Sequence, residues 1–155
     1  MIKPLLFVVA AGVAIGLAWP SGEQPAQVLA ARTGEPRETV LEREANGHFY
    51  VNAKVNGELV HFIVDTGATG VALTEEDARR VGLAFSPSEF EYVGEGAAGP
   101  VRGKLVTIDK IEVDGKTVED VSGAVLQGGE LSLLGQSYLS RMGEVQMRGD
   151  YMVLR

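Results

Sequence analysis

Tight turns divide most of this chain into short β-like runs, and no other feature of the sequence constrains its fold as strongly. Asn56-Gly57 lies between two such runs, residues 49–55 and 58–64, and Asn-Gly in this setting is the strongest short-range signal for a β-hairpin. Asp114-Gly115 and Arg148-Gly149-Asp150 separate later pairs of runs in the same way. The chain is therefore predicted to consist mainly of antiparallel strands joined by short turns.

Helical signals are confined to two places. Residues 74–82 predict a short helix, because Thr74 can cap it, acidic residues fill its first turn and Gly82 ends it. A second helical turn is predicted after Gly135, which follows an apolar run. The predicted fold class is all-β: a small closed antiparallel β-barrel with one short helix and a C-terminal helical turn.

The N-terminal segment is predicted to lie outside this barrel. Residues 1–19 carry one charge, Lys3, and their apolar run of fifteen residues spans about 22 Å as a helix, against a hydrocarbon core of roughly 30 Å. An uncleaved membrane helix is one interpretation, with Lys3 reaching the interface, and a cleaved signal peptide is the other. Residues 20–39 are predicted to be a flexible linker, and residues 40–155 form the predicted domain.

Composition excludes several classes of function. The net charge is −7 and the pI is near 4.8, which argues against a nucleic-acid-binding protein because such a protein needs a basic face. The chain has no cysteine, so disulfides, thiolate nucleophiles and cysteine zinc sites are excluded. Two histidines and no metal-binding motif argue against a metal site.

One stretch carries the candidate chemistry. The apolar run that ends at Val64 is followed by Asp65-Thr66-Gly67, which places a carboxylate on a turn that glycine allows to bend sharply. From the residues alone, Asp65 is either a catalytic group or an ordinary turn-forming residue.

Residues 40–155 resemble the retropepsin-like (retroviral-type, clan AA) aspartic proteases, and most of all their bacterial membrane-anchored members. The resemblance rests on Val64-Asp65-Thr66-Gly67-Ala68, on a glycine-rich hairpin tip at residues 94–100, and on Leu133-Leu134-Gly135 with Tyr138-Leu139 behind it. One departure is Gln136-Ser137, where viral members usually carry Arg-Asn or Arg-Asp. This departure bears on the hydrogen bonds that support the active-site loop, and not on the chemistry of the carboxylate.

The resemblance implies an aspartic endopeptidase with a retropepsin barrel and no cofactor or metal. Asp65 would be catalytic, and its counterpart Asp65′ would come from a second copy of the chain in a homodimer that acts on polypeptides. Thr66, Gly67, Ala68 and Gly135 would support the active-site loop. The residues that would form a flap over the substrate are Gly94, Glu95, Gly96, Ala97, Ala98 and Gly99.

The resemblance and the N-terminal segment together imply a single-pass protein of the inner membrane whose protease domain faces the periplasm. The alternative location is secretion after signal cleavage. The alternative function is a catalytically silent retropepsin-like barrel that binds extended peptides at the cell envelope.

Overall fold

The computed structural model of this protein describes residues 36–96 and 98–155. Its strands are β1 (Thr39–Glu42), β2 (Tyr50–Val55), β3 (Glu58–Val64), β4 (Val71–Thr74), β5 (Glu91–Gly96), β6 (Gly99–Val113), β7 (Lys116–Leu126), β8 (Ser132–Leu134), β9 (Val145–Arg148) and β10 (Tyr151–Leu154). Its helices are α1 (Glu75–Arg80), α2 (Gln136–Leu139) and the 3-10 turn Pro87–Glu89.

Six strands form a closed barrel, as the sequence predicts. They follow the order β2-β3-β8-β4-β7-β6, and β6 pairs back with β2 to close the ring. β5 extends the sheet beyond β6, while β1, β10 and β9 form a separate three-stranded sheet.

The barrel is not antiparallel throughout, which corrects the prediction. β3 pairs with β8 in parallel, and β4 pairs with β7 in parallel. Local turn signals reveal only antiparallel neighbours, because parallel partners need a long connection between them.

The strands of the β5–β6 hairpin extend further than the sequence predicts, and β6 and β7 are the two longest strands. The predicted hairpin tip covers residues 94–100, but strand pairing continues to Gly96 and Gly99, so the unpaired tip is shorter. β6 runs without a break for 15 residues, and it carries the exposed Asp109 in its interior. Asp120 on β7 has a φ of 49°, but this local irregularity does not end the strand, which continues to Leu126.

The interior of the barrel is filled by alternate residues of the strands. Phe62, Ile108 and Leu134 come from three different strands and are fully buried. Each such side chain stabilises the fold by roughly 1.5–3 kcal/mol through removal of apolar surface from water. α1 lies at its predicted place, where the Thr74 hydroxyl accepts the Asp77 N–H at 3.0 Å and Ala78 is buried.

The last residues of the predicted linker contact the barrel. The buried Lys116 ammonium donates to the Thr39 hydroxyl at 2.9 Å and to the Arg37 carbonyl, and the Thr39 hydroxyl donates to Asp114 at 2.5 Å. Burial lowers the pKa of Lys116, while Asp114 and Glu38 act in the opposite direction. The domain boundary at residue 40 stays a prediction. Arg37 and Thr39, which precede that boundary, are hydrogen-bonded to residues of the barrel.

In residues 36–96 and 98–155, no helix has the length and apolar character needed to span a membrane. The predicted membrane helix over residues 1–19, and most of the predicted linker, lie outside the described residues. Both segments stay predictions.

Candidate active site

Asp65 directly follows Val64, the last residue of β3. Phe62 and Val64 are buried in the core, whereas Asp65 is partly exposed and Thr66 is exposed. The Asp65 N–H donates to the Leu134 carbonyl at 3.1 Å, so the backbone remains attached to β8 at the residue that carries the carboxylate.

The carboxylate of Asp65 is oriented by its own turn. The Gly67 N–H donates to Asp65 Oδ1 at 2.9 Å, and the Ala68 N–H approaches the Asp65 carbonyl at 3.3 Å. An aspartate that accepts the amide two residues ahead forms an Asx-turn, which holds the side chain in one orientation. The second carboxylate oxygen is left without a hydrogen bond from the described residues.

The loop that follows Asp65 rests on the start of α2. The Gln136 N–H donates to the Ala68 carbonyl at 2.8 Å, and the Ser137 N–H donates to the Thr69 carbonyl at 3.0 Å. Gly135 makes this approach possible, since a Cβ at that position would lie 2.2 Å from the Gly70 carbonyl oxygen and 2.7 Å from that of Ala68.

α2 is itself firmly anchored. Tyr138 is fully buried, and its hydroxyl donates to the Lys116 carbonyl at 2.8 Å. Burial raises the pKa of this phenol, so it stays a neutral hydrogen-bond donor. α2, which supports the Asp65 loop, is therefore anchored in the core.

Two side chains that were not among the predicted site residues also support it: that of Gln136 holds the loop, and that of Ser137 joins β4 to β7 behind the loop. The Gln136 side-chain amide donates to the Thr66 carbonyl at 2.8 Å. The Ser137 hydroxyl accepts the Val71 N–H at 3.0 Å and donates to the Ser122 carbonyl at 2.6 Å. These are the two positions at which the chain departs from the viral pattern. Their place directly after Gly135 was the signal that could have identified them.

A row of apolar side chains crosses the outer face of the barrel next to the Asp65 loop. Its members are in register across five neighbouring strands, and they are Ile63, Leu133, Ala72, Ala124 and Leu105. None of the five belongs to the core cluster formed by the described residues. Side chains of a strand alternate between two faces, so Ile63 lies on the face opposite to the buried Phe62 and Val64.

The glycine-rich segment predicted as a flap forms the tip of the β5–β6 hairpin. Glu95 pairs with Pro100 and Gly96 pairs with Gly99, whose φ of 113° is a conformation that favours glycine. Ala98 is exposed, and Ala97 lies outside the described residues. Within the described part of the chain, no hydrogen bond joins this hairpin to the Asp65 loop.

The structure thus brings Asp65, Thr66, Gly67, Ala68 and Gly135 together, whereas residues 94–99 lie on a separate hairpin. Across residues 36–96 and 98–155, no group of three or more histidine, aspartate or glutamate side chains is placed to hold a metal ion.

This fold and this loop match a known family. The family described as "gag-polyprotein putative aspartyl protease" matches residues 51–141, which is more than half of the chain. The crystal structure of a retropepsin-like aspartic protease from Rickettsia conorii is 33% identical in sequence, with a TM-score of 0.65 over 77% of this chain and 91% of that one. The chain belongs to the retropepsin-like aspartic protease family.

Two further relatives differ in what they show. An uncharacterized protein in the cobV 5′ region of a Sinorhizobium species is 37% identical over 121 residues, which cover 77% of this chain and 52% of that protein. The chain spans about half the length of the curated relatives it matches. The EIAV protease, complexed with the inhibitor HBY-793, is 17% identical with a TM-score of 0.50 over 63% of this chain and 89% of that one, and this likeness shows the fold alone.

We expect the substitution Gly135→Ala to lower the free energy of unfolding by at least about 2 kcal/mol, because its methyl group would overlap two loop carbonyls. The measurement is chemical denaturation. Gly129→Ala is the matched control, since its added methyl would meet only the Leu126 Cβ at 3.6 Å. Equal stability of the two variants would contradict the close packing of Gly135 under the loop.

Proposed function

We propose that this chain is an aspartic endopeptidase that hydrolyses peptide bonds as a homodimer, with Asp65 of each copy supplying one carboxylate. The observation that carries the proposal is the presentation of Asp65. Its carboxylate is partly exposed at the end of a barrel strand, is oriented by the Gly67 N–H and adjoins an apolar outer face. Membership of the retropepsin-like family supports the same chemistry.

The proposed reaction needs two carboxylates that differ in protonation. A water molecule between them attacks the scissile carbonyl carbon and loses a proton to the ionised carboxylate, while the protonated one donates to the carbonyl oxygen. As the C–N bond breaks, the amine takes the proton that the first carboxylate received from water, and a hydroxyl of the tetrahedral intermediate returns a proton to the second carboxylate. Two carboxylates about 3 Å apart cannot both ionise, so the pair shares the one proton that this division of roles requires.

The second carboxylate would come from a second copy of the chain. The sequence contains a single Asp-Thr-Gly. Within the described residues, Asp65 takes part in no ion pair, and its carboxylate accepts only the Gly67 N–H. A two-fold axis through the site would place Asp65 opposite Asp65′ and the exposed Thr66 opposite its twin, where the two loops could brace each other.

The substrate we propose is an extended polypeptide segment. In the outer row, the partly exposed Ile63 and Leu133 would offer apolar contacts to the side chains near the scissile bond. The β5–β6 hairpin tip at residues 94–99 would close over the bound segment and exclude water. Gly67 would leave room for the substrate backbone next to the carboxylate, because it has no side chain.

Asp65→Asn is expected to abolish peptide hydrolysis, because it keeps the shape of the side chain and removes the group that titrates. The measurement is cleavage of an unfolded protein substrate, followed by mass spectrometry of the products. Asp109→Asn, which alters an exposed aspartate inside β6, is the control and should cleave like the wild type.

Unchanged hydrolysis by Asp65→Asn would reject the mechanism. A wild-type chain that binds extended peptides without cleaving them would instead support the alternative, a silent binding barrel.

The shared site predicts a specific result when subunits are mixed. If wild type and Asp65→Asn are mixed in equal amounts and allowed to exchange, only about one quarter of the dimers carry two intact aspartates. Activity per dimer should therefore fall to about a quarter of that of an equal total concentration of wild type. A fall to one half would mean that each chain acts alone, and this would overturn the dimeric site.

We further propose that the chain is anchored in the inner membrane by residues 1–19, with residues 40–155 in the periplasm. The apolar run and the single positive charge, Lys3, support this orientation.

When the full chain is expressed in a bacterium with two membranes, it should remain with the membranes after a high-salt wash. Protease added after permeabilisation of the outer membrane should then degrade it. Release as a shortened periplasmic protein would indicate signal cleavage, and full protection from the protease would contradict both locations.

A further inference from the structure

One peptide group of the active-site loop is held at both of its ends. The carbonyl of Thr66 accepts the Gln136 side-chain amide at 2.8 Å, and the N–H of the same peptide group, on Gly67, donates to Asp65 Oδ1 at 2.9 Å. In a planar trans peptide the C=O and N–H point in opposite directions. A partner that fixes the Thr66 carbonyl therefore also aims the Gly67 N–H at the carboxylate.

We propose that Gln136 is a positioning residue that locks the Thr66–Gly67 peptide so that its N–H orients the carboxylate of Asp65. The inference rests on the proposed function, since it assigns Gln136 a part in the activity of that same site. Gln136 acts through the peptide and does not touch the reacting atoms.

Without this contact the peptide would be free to rotate. It lies in a tight turn, both of its residues are exposed, and Gly67 tolerates the change of φ that accompanies a peptide flip in a β-turn. A flip would turn the Thr66 carbonyl oxygen towards Asp65 Oδ1, so that two acceptors would face each other and the carboxylate would lose its donor. The amide of Gln136 favours the orientation that keeps the oxygen away from the carboxylate.

Gln136 is well placed for this role because its backbone lies in α2, where its carbonyl also accepts the Ser140 N–H at 3.1 Å. Its N–H donates to the Ala68 carbonyl at 2.8 Å, and its own carbonyl accepts the Ser140 hydroxyl at 2.6 Å. The side chain is exposed and contributes little to the core. A substitution there can therefore change the loop without unfolding the barrel.

The test uses the full chain with Gln136→Ala and with Gln136→Glu, which keeps the size but loses the N–H donor when ionised. Gln127→Ala is the matched control, because Gln127 is an exposed glutamine whose side chain has no hydrogen-bond partner within the described part of the chain. kcat and KM are measured on a peptide that the wild type cleaves, at protein concentrations where specific activity no longer rises. In parallel, NMR records the amide signal of Gly67 and its rate of hydrogen exchange.

Both Gln136 variants should lower kcat about tenfold, the factor that corresponds to one hydrogen bond of ordinary net strength, and should leave KM within about twofold of wild type. They should also shift the Gly67 amide signal and speed its exchange, while the thermal midpoint stays near that of Gln127→Ala. If the enzyme is active and the variants leave kcat unchanged or alter only KM, the inference about Gln136 is overturned and the proposed function stands.

A wild type that cleaves no peptide would overturn the proposed function, and the NMR arm would then decide the role of Gln136. A Gly67 signal that both variants leave unchanged would sink the inference, whether or not the chain is a protease.

Discussion

The parallel pairing of β3 with β8 is the constraint on which the site depends. It brings Leu133 and Leu134 beside Ile63 and Val64, and it continues into the loop because the Asp65 N–H donates to the Leu134 carbonyl at 3.1 Å. The residue after Leu134 is Gly135, and only a glycine lets α2 begin directly beneath the Asp65 loop. If β8 slipped by one residue, its side chains would exchange faces and the loop would lose its support. The carboxylate is therefore positioned by strand register before any side chain of the loop contributes.

The sequence predicts the parts of this fold that local chemistry decides. Asn56-Gly57 marks a hairpin because the turn conformation depends on those two residues, and Thr74 marks the start of α1 for a similar reason. It does not predict the pairing of β3 with β8, since the two strands are about seventy residues apart and nothing in either one encodes its partner. The full length of β6 was not predicted either, because the strand carries an acidic residue, Asp109, in its interior. In the structure its side chain lies on the solvent-facing surface of a strand, where a charge costs little.

Gln136 and Ser137 show why the candidate site was only partly predictable. At these two positions the chain differs from the viral members. The sequence shows that Gln136 stands in place of the usual arginine, but it does not show which hydrogen bond the glutamine makes. A neutral amide suffices here because its acceptor is the Thr66 backbone carbonyl, which needs one N–H and no charge. Ser137 adds a hydroxyl that both accepts and donates, so it joins β4 to β7 behind the loop. The contacts of both residues depend on the side-chain conformations that they adopt in the folded chain, and the one-dimensional pattern does not contain these.

The same contacts bear on how two half-sites could combine. Within residues 36–96 and 98–155, the hydrogen bonds that hold the loop from Asp65 to Thr69 come from β8, from α2 and from the loop. If a second copy binds as proposed, a loop already held by these bonds would lose little conformational freedom, and less of the association free energy would be spent on ordering it. What a second copy would add is the missing carboxylate and the contact of its own Thr66. On this view the strength of the dimer and the geometry of the carboxylate are set by different residues. A weakly associating chain can therefore keep a well-formed half-site, because its geometry depends on Gly135 and Gln136 and not on the partner.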